Sequence, residues 1–585
     1  MKKIKGKPAS SGIISGKALV FNSQKEIILR EKINRDEIGN EIKRLNNAIT
    51  KTRAQLKKIY NNLQKVMGKD SALIIETQYL LLKEANLIND IKNLISTNLV
   101  KVEWAIKEVE KKYIDFFNNI PDLSFREKRN DISDLLNRLM NNLKKGKNDI
   151  ISNIENVILI ADDLPPSMAA NLISKGKLLG LILDGGGETS HSVILARTLE
   201  IPTILNTDNA TEVISNDDLI IIDGLTGEIY INPTKSVISK YSIKKEKYQV
   251  YRERLKEVIK LSDTTKDNHP FNLLANIELP FESDIVQSYG AKGIGLYRTE
   301  FLFSDHEISL STKQQYLIYK NIAQKVFPNP LVIRTFDIGR DKNHFHNKPM
   351  TEPNPALGNM AVRLLLKEKH LFKTQIKAIL MANESGNIKI LFPMITEIEE
   401  IYSIQRIIEE CKEELKKENK YPNKDIEMGI MIEVPGMVEI VQYLKDEVDF
   451  FSIGTNDLMQ YLLAADRNNG TVAYLLNPFH PAVIKVLLKL RKEITRIGKK
   501  VTVCGEIAGK TFPALMLLGM GYTDFSMNPI SIPEIKRIFT NIHFSQIRKI
   551  VRQLTDFSSK TEAEEFLIET LLKKYPNLFI KQAVF

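Results

Sequence analysis

The sequence predicts a multidomain α/β protein: a small α/β domain carrying a helical-bundle insertion, then a linker helix, then a C-terminal (β/α)8 TIM barrel. Three observations carry the prediction. A long apolar stripe at helical spacing interrupts an early set of strands. A charged helical stretch with polar ends follows the last of those strands. After it, about eight short apolar runs alternate with helical segments over roughly 300 residues, the rhythm of an eight-stranded parallel barrel.

Bulk properties agree with that architecture. The chain has 585 residues, enough for about three or four domains, and is 43% hydrophobic and 26% charged, ordinary for globular proteins. No apolar run reaches transmembrane length, and Met1-Lys2-Lys3-Ile4-Lys5 lacks the apolar core of a signal peptide. Cys411 and Cys504 stand far apart, which argues against a disulfide framework and fits a reducing, cytoplasmic setting. The formal charge of +11 raises nucleic acid as a partner. Lysine is spread along the whole chain, however, with no basic stripe interleaved with aromatics. The expectation is no nucleic acid and no membrane insertion.

Taken in order, residues 1–22 hold a Gly-rich opening and a short strand, Lys17 to Phe21. From Asn34 the pattern turns helical. Ile38, Ile42, Leu45, Ile49, Leu56, Ile59, Leu63 and Val66 follow steps of three, four or seven, the signature of an amphipathic helix. Helical segments around 71–98, 100–118 and 129–144 complete a subdomain, and the stripe reads as its core. Strands return at Asn156–Ala161, Leu178–Leu183, Leu219–Asp223 and Glu228–Asn232. Pro233 to Leu261 is a Lys/Glu-rich helix ending in the polar break Ser262-Asp263-Thr264-Thr265. The barrel strands are expected at Leu273–Ile277, Gly293–Tyr297, Leu331–Arg334, Ile388–Met394, Ile426–Glu433, Phe450–Gly454, Val501–Cys504 and Thr523–Met527.

One loop stands out in the first domain. The run Leu178 to Leu183 leads into Gly185-Gly186-Gly187-Glu188-Thr189-Ser190-His191-Ser192, then Val193, Ile194, Ala196 and Leu199 at helical spacing. Strand, tight loop and helix follow one another. Glycines let the backbone approach a ligand closely, and the first amides of a helix lack intrahelical partners. Such a corner attracts phosphate, and a histidine ring nitrogen there could itself take a phosphoryl group. The bland alternative is a glycine turn with an exposed histidine.

In a barrel the chemistry gathers at the C-terminal strand ends. The second run ends in Arg298-Thr299-Glu300, and the third carries Arg334 and then Asp337. The fifth ends in Glu433-Val434-Pro435-Gly436. The sixth gives Gly454-Thr455-Asn456-Asp457, with Arg467 behind it, and the seventh ends in Cys504-Gly505-Glu506. Guanidinium forks take phosphate and carboxylate oxygens two at a time. Carboxylates with open water positions suit Mg²⁺. Three arginines and two carboxylates on one mouth therefore imply a small, doubly anionic substrate. Cys504 reads two ways, as a proton carrier or as a small core residue.

These motifs resemble enzyme I of the bacterial sugar phosphotransferase system. The resemblance rests on Gly293-Ile294-Gly295-Leu296-Tyr297-Arg298-Thr299-Glu300-Phe301-Leu302-Phe303, on Arg334-Thr335-Phe336-Asp337-Ile338-Gly339, and on Asp449 to Leu458. Gly519 to Met527, Asn354-Pro355, Leu357-Gly358, Cys504-Gly505-Glu506 and the Thr189-Ser190-His191 loop add to it, and it runs nearly end to end. It implies a phosphohistidine domain at 1–30 and 148–232 that swivels against the barrel. It also implies a helical subdomain for the phosphocarrier protein HPr at 31–147, a linker helix at 233–265, and a barrel at 266–585 that binds phosphoenolpyruvate and forms a homodimer. His191 would take the phosphoryl group and pass it to a histidine of HPr. Arg298, Arg334, Asn456, Asp457 and Arg467 would hold phosphoenolpyruvate, Glu433 and Asp457 would hold Mg²⁺, and Cys504 would protonate the enolate to pyruvate.

Several positions depart from the family pattern. Glu188 stands where Arg is usual, Arg340 replaces a glycine, and Asn359-Met360 replaces Trp-Arg. In the helical insertion Ser133 replaces an Arg and Lys83 an acidic residue, which bears on HPr affinity through charge complementarity. A dikinase or phosphoenolpyruvate synthase would share the motifs but needs a large nucleotide-binding domain, for which there is no room. A non-catalytic scaffold is opposed by the intact set of candidate site residues.

Overall fold

The computed structural model describes residues 1–21, 30–71, 82, 85–118, 123–143, 156–164, 168, 178–185, 193, 196–197, 200–300, 302, 310–338, 354–467, 469–576 and 578–579. They form two compact units, Met1–Tyr251 and Arg252–Val584.

The first unit contains one eight-stranded sheet. Its strands are β1 (Lys2–Lys5), β2 (Lys7–Ser10), β3 (Ile13–Phe21), β4 (Val157–Ala161), β5 (Leu178–Leu183), β6 (Thr203–Leu205), β7 (Leu219–Asp223) and β8 (Glu228–Ile231). Their spatial order is β1-β8-β7-β3-β4-β5-β6-β2. Strands β3 to β6 run parallel, and the flanking pairs are antiparallel. Isoleucine dominates the core, with Ile158, Ile160, Ile182, Ile204, Ile220, Ile222 and Ile229 fully buried. The sequence starts the first long strand at Lys17, whereas it begins at Ile13. Gly16 and Lys17 are poor strand formers, and the antiparallel pairing of Ile13–Lys17 with β7, joined at Lys17 by the parallel pairing with β4, holds them extended. Strands β1, β2 and β6 are not anticipated either. They are short, and two of them are Lys-rich edges, which give no alternation to read.

The insertion is a set of helices at Ile38–Ser71, Ala85–Asn98, Val102–Asn118 and Leu123–Leu143. The middle of the expected stripe faces inward: Leu45, Ile49, Leu56 and Ile59 are buried with Ile91, Ile95, Val109 and Leu139, Ile38 and Ile42 are half-buried, and the side chains of Leu63 and Val66 lie outside the described residues. Glu41 is buried among them for a reason that spacing does not reveal. Its Oε2 accepts from the Val102 backbone N–H at 2.9 Å, an orphan donor at a helix start, and both its oxygens accept from Arg44.

The linker helix spans Lys235–Val258. Its Lys244 Nζ lies 2.5 Å from Oδ2 of the fully buried Asp223. Tyr241 and Tyr230 both donate to Glu228 Oε2 at 3.0 Å.

The second unit is a closed (β/α)8 TIM barrel. Its strands are β9 (Asn272–Ile277), β10 (Ile294–Arg298), β11 (Leu331–Arg334), β12 (Ile388–Phe392), β13 (Glu427–Ile432), β14 (Phe450–Gly454), β15 (Lys500–Cys504) and β16 (Asp524–Met527). All eight pairings are parallel, and β16 closes on β9. Each expected run holds a strand within two residues of the expected limits. Strand alternation splits the buried residues into two sets. Leu296, Val332, Leu391, Met431, Phe450 and Cys504, one from each of six successive strands, form a cluster of their own in the lumen. The other set, including Tyr297, Ile333, Ile390 and Ile453, packs against the surrounding helices. Between β9 and β10 the crossover is not an α-helix but two short 3₁₀ turns, Pro280–Asp284 and Gln287–Tyr289. Among the described residues no helix is long and apolar enough to cross a membrane.

Candidate active site

The site is built from the C-terminal ends of the barrel strands. Arg298 is the last residue of β10, and its Nη1 donates to Glu278 Oε1 at 2.5 Å, just beyond β9. Arg334 ends β11. Its Nη2 donates to Glu300 Oε1 at 3.0 Å, and its Nη1 lies 2.8 Å from Asp337 Oδ2. Glu300 Oε1 also accepts from the Asp337 backbone N–H at 2.9 Å. Burial works against both guanidinium charges, but nearby carboxylates outweigh it and raise both pKa values. Glu278 leads for Arg298, and Glu300, Asp337, Glu433 and Asp457 act on Arg334. These two arginines stay charged.

Glu433 directly follows β13 and is 1% exposed. Its Oε1 accepts from the Met394 backbone N–H at 2.7 Å, while its Oε2 is buried with no hydrogen-bond partner. Met394 holds φ at +57°, a left-handed conformation uncommon outside glycine, and with it the N–H that reaches the carboxylate. Burial, Asp457 and Asp337 push the Glu433 carboxyl well above the usual range, against the pull of Arg334.

Asp457 sits in the first turn of the helix Thr455–Leu463, which begins directly after β14. Burial raises its pKa, and Asp337 adds to the rise, while Arg467, Arg334 and Arg298 lower it. One carboxylate thus feels all three arginines that the sequence singles out. Arg467 is the most open of them, with Nη1 at 3.6 Å from Asp457 Oδ1. Asn456 Oδ1 accepts from the Glu506 backbone N–H at 3.4 Å. Thr455 Oγ1 donates to the Cys504 carbonyl at 3.1 Å, and Gly505 at φ +114° leaves room for that hydroxyl.

Cys504 is 1% exposed at the end of β15. Its Sγ lies 3.0 Å from Ser452 Oγ and 3.2 Å from the Ile453 carbonyl. Burial pushes the thiol up to about 11, even though the Ser452 hydrogen bond pulls the other way. The residue therefore packs in the lumen core and also stands at the mouth of the barrel, protonated at neutral pH.

The geometry brings Arg298, Arg334, Glu433, Asp457, Arg467, Asn456 and Cys504 to one end of the barrel. His191 and the neighbouring Glu188, Thr189 and Ser190 lie outside the described residues, as do Arg340 and Lys83. Ser133 is described: its Oγ donates to Glu110 Oε1 at 2.9 Å. Sequence reasoning gave no role to Glu278, Asp337, Ser452 or Met394. Glu278 and Asp337 carry a legible signal, an acidic residue just past a barrel strand. Ser452 and the Met394 amide carry none, because their partners are remote in sequence.

Carboxylate oxygens are hard ligands suited to Mg²⁺. The unpartnered Glu433 Oε2 and Asp337 Oδ1 and the raised pKa values of Glu433 and Asp457 describe buried carboxylates whose desolvation the neighbouring arginines offset only in part. Among the described residues no group of three or more His, Cys, Asp or Glu side chains is set to hold a metal ion; the two unpartnered carboxylate oxygens are the observation that a divalent cation would account for.

Fold and site together describe a TIM barrel whose mouth gathers arginines and carboxylates, groups suited to a small anionic substrate. Comparison with known proteins narrows the class. Residues 252–544 match the family model described as PEP-utilising enzyme, PEP-binding domain. Residues 5–128 match its N-terminal domain, and residues 153–227 its mobile domain. The phosphoenolpyruvate-protein phosphotransferase of Buchnera aphidicola subsp. Baizongia pistaciae is 38% identical over 552 residues, covering 94% of this chain and 96% of that protein. That of Haemophilus influenzae is 35% identical over 575 residues, 98% of this chain and 100% of the relative. That of Bacillus subtilis is 35% identical over 571 residues, with 97% and 100% covered. The chain belongs to the phosphoenolpyruvate-protein phosphotransferase family.

Proposed function

We propose that this chain moves the phosphoryl group of phosphoenolpyruvate first to its own His191 and then to a histidine of the phosphocarrier protein HPr, releasing pyruvate. Arg298 and Arg334, held charged by their carboxylate partners, bind the phosphate and carboxylate of phosphoenolpyruvate together with Arg467, Asn456 and Asp457. In phosphoryl transfer the protein mainly positions groups and neutralises charge. The imidazole of His191 must be neutral to attack, a form well populated near pH 7. As the N–P bond forms and the P–O bond breaks, the enolate is left in the barrel. The Cys504 thiol, still protonated, gives its proton to the enolate carbon. Glu433 and Asp457 would hold Mg²⁺, which when bound neutralises charge on the phosphate and enolate oxygens.

The same reading assigns residues 1–30 and 148–232 to the phosphohistidine domain, 31–147 to the HPr-binding subdomain, 233–265 to a linker, and 266–585 to a dimerising barrel in a cytoplasmic enzyme. His191 has to serve both phosphoenolpyruvate and HPr, so the linker acts as a swivel.

The observation that supports this reading most is that Arg298 and Arg334 end neighbouring barrel strands at the same mouth as Asp457, which has Arg467 Nη1 3.6 Å from its Oδ1. The test is incubation with labelled phosphoenolpyruvate and Mg²⁺, with and without HPr, beside His191→Ala. Acid-labile label on the wild type alone, passing to HPr, is expected. Label that stays on the chain would remove the HPr step, and no label would leave a non-catalytic scaffold.

A further inference from the structure

A chain of buried polar side chains lies behind Arg334. Gln375, on the helix Lys369–Ala382, is fully buried. A glutamine with no access to water must satisfy its amide inside the protein. Its Nε2 donates to Thr299 Oγ1 at 3.0 Å and lies 3.3 Å from Tyr319 OH, and its Oε1 accepts from the Phe336 backbone N–H at 3.1 Å. Thr299 Oγ1, also fully buried, donates in turn to the Arg334 carbonyl at 2.8 Å. On the far side Tyr319 OH donates to Gln315 Oε1 at 3.0 Å, and Gln315 Nε2 donates to the Leu310 carbonyl at 2.8 Å.

The consequence lies in the backbone of 334–337. The Arg334 carbonyl is held by Thr299, and the Phe336 N–H by Gln375. The Thr335 N–H reaches the Leu391 carbonyl on β12 at 3.0 Å, and the Asp337 N–H reaches Glu300. Four successive residues are fixed by three different parts of the barrel: the Thr299-Glu300 segment after β10, β12, and the helix that carries Gln375. Two of the four anchors meet at a single amide, that of Gln375. The guanidinium of Arg334 has charged partners only at its tip, so its aim depends on where its backbone stands. Buried polar networks of this kind, fully satisfied, rigidify what they hold.

We infer that Gln375 and Thr299 are positioning residues for Arg334: they touch no substrate, and they set the aim of the guanidinium that binds the anion. The inference rests on the reading of Arg334 as a ligand of phosphoenolpyruvate. Thr299→Val removes the hydroxyl while keeping the shape. Thr299→Ser keeps the hydroxyl, and Gln375→Met removes the amide at nearly constant volume.

The test combines steady-state phosphotransfer with hydrogen exchange of the peptide containing 334–337. For Thr299→Val and Gln375→Met the expected result is a KM for phosphoenolpyruvate raised about tenfold, with the maximal rate changed less than about threefold. Exchange at the Thr335 and Phe336 amides should be faster, and Thr299→Ser should restore both readouts. A KM within about twofold of wild type in folded Thr299→Val overturns the inference, as does unchanged exchange, even if thermal stability falls. If the wild type itself takes no phosphate from phosphoenolpyruvate, the functional reading fails, and the exchange arm still decides whether the relay fixes the Arg334 backbone.

Discussion

Gly454 is a point of the site with little tolerance for a larger residue. It ends β14, and a Cβ added there would stand 2.5 Å from Glu433 Oε2, 2.9 Å from Met431 Sδ and 3.1 Å from Glu433 Cβ. An ordinary non-bonded contact is about 3.5 Å, so Gly454→Ala demands a displacement of roughly 1 Å. The backbone cannot supply it, since β14 is paired on both sides with β13 and β15. The Glu433 carboxylate must move, yet its other oxygen is tied to the Met394 N–H and the side chain is buried. Losing that bond and overpacking the lumen together cost about 2–3 kcal/mol. On the proposed role of Glu433 in holding the cation, misplacing it by ~1 Å costs on the order of a hundredfold in rate. Gly454→Ala should therefore fold with a lowered Tm and phosphorylate about a hundredfold more slowly, with a higher Mg²⁺ requirement. Single-turnover labelling across a Mg²⁺ titration measures this. A rate within about threefold of wild type at the same Mg²⁺ requirement would refute the claim that Glu433 must occupy its present position.

Four further outcomes follow, three from the structure and the last from the sequence. Burial, Asp457 and Asp337 raise the Glu433 pKa above 4.5, so its charge opposes folding as pH rises from the unfolded value through the folded one. Glu433→Gln should therefore raise Tm at pH 7 in metal-free buffer by about 2–3 °C, roughly 1 kcal/mol, and abolish the Tm increase that added Mg²⁺ is expected to give the wild type on the proposed role of Glu433. Cys504 is raised from 9.0 to about 11, so the folded state keeps its proton where the unfolded chain loses it. Relative to Cys504→Ser, stability should be level below pH 9 and fall between pH 9 and 11 by on the order of 2–3 kcal/mol, read by denaturant unfolding. Lys244→Ala should destabilise the first unit by about 3 kcal/mol, because it leaves the buried Asp223 carboxylate without its cation and with only the Leu225 and Thr226 backbone N–H groups as partners, and adding Asp223→Asn should recover most of the loss. Glu188→Arg should speed phosphorylation by removing a carboxylate three residues from His191; an unchanged rate would show that Glu188 does not repel the incoming phosphate.

Much of this protein was legible in one dimension. The eight barrel strands are short apolar runs bounded by helical spacing, and such runs have few alternatives to buried parallel strands. Arg298, Arg334, Glu433, Asp457 and Cys504 were found by asking which polar residues follow those runs, because strand ends in a barrel share one mouth. The stripe from Leu45 to Ile59 was legible for a similar reason: a helix that buries one face must repeat at 3.6 residues. The short edge strands β1 and β2 were not, since an exposed Lys-rich strand has no burial pattern to betray it.

What the sequence alone determined is therefore the inventory: the order of elements, the apolar face of each, and the chemical groups delivered to the barrel's end. Only the tertiary structure decided how those groups are held. Glu278 meets Arg298, Gln375 meets Thr299 and Phe336, Ser452 meets Cys504, and the Met394 amide meets Glu433, each across strands or helices that chain spacing does not relate. The physical reason is that periodicity records which side of an element faces inward, whereas a hydrogen bond between two elements depends on register and distance, which exist only once the barrel has closed.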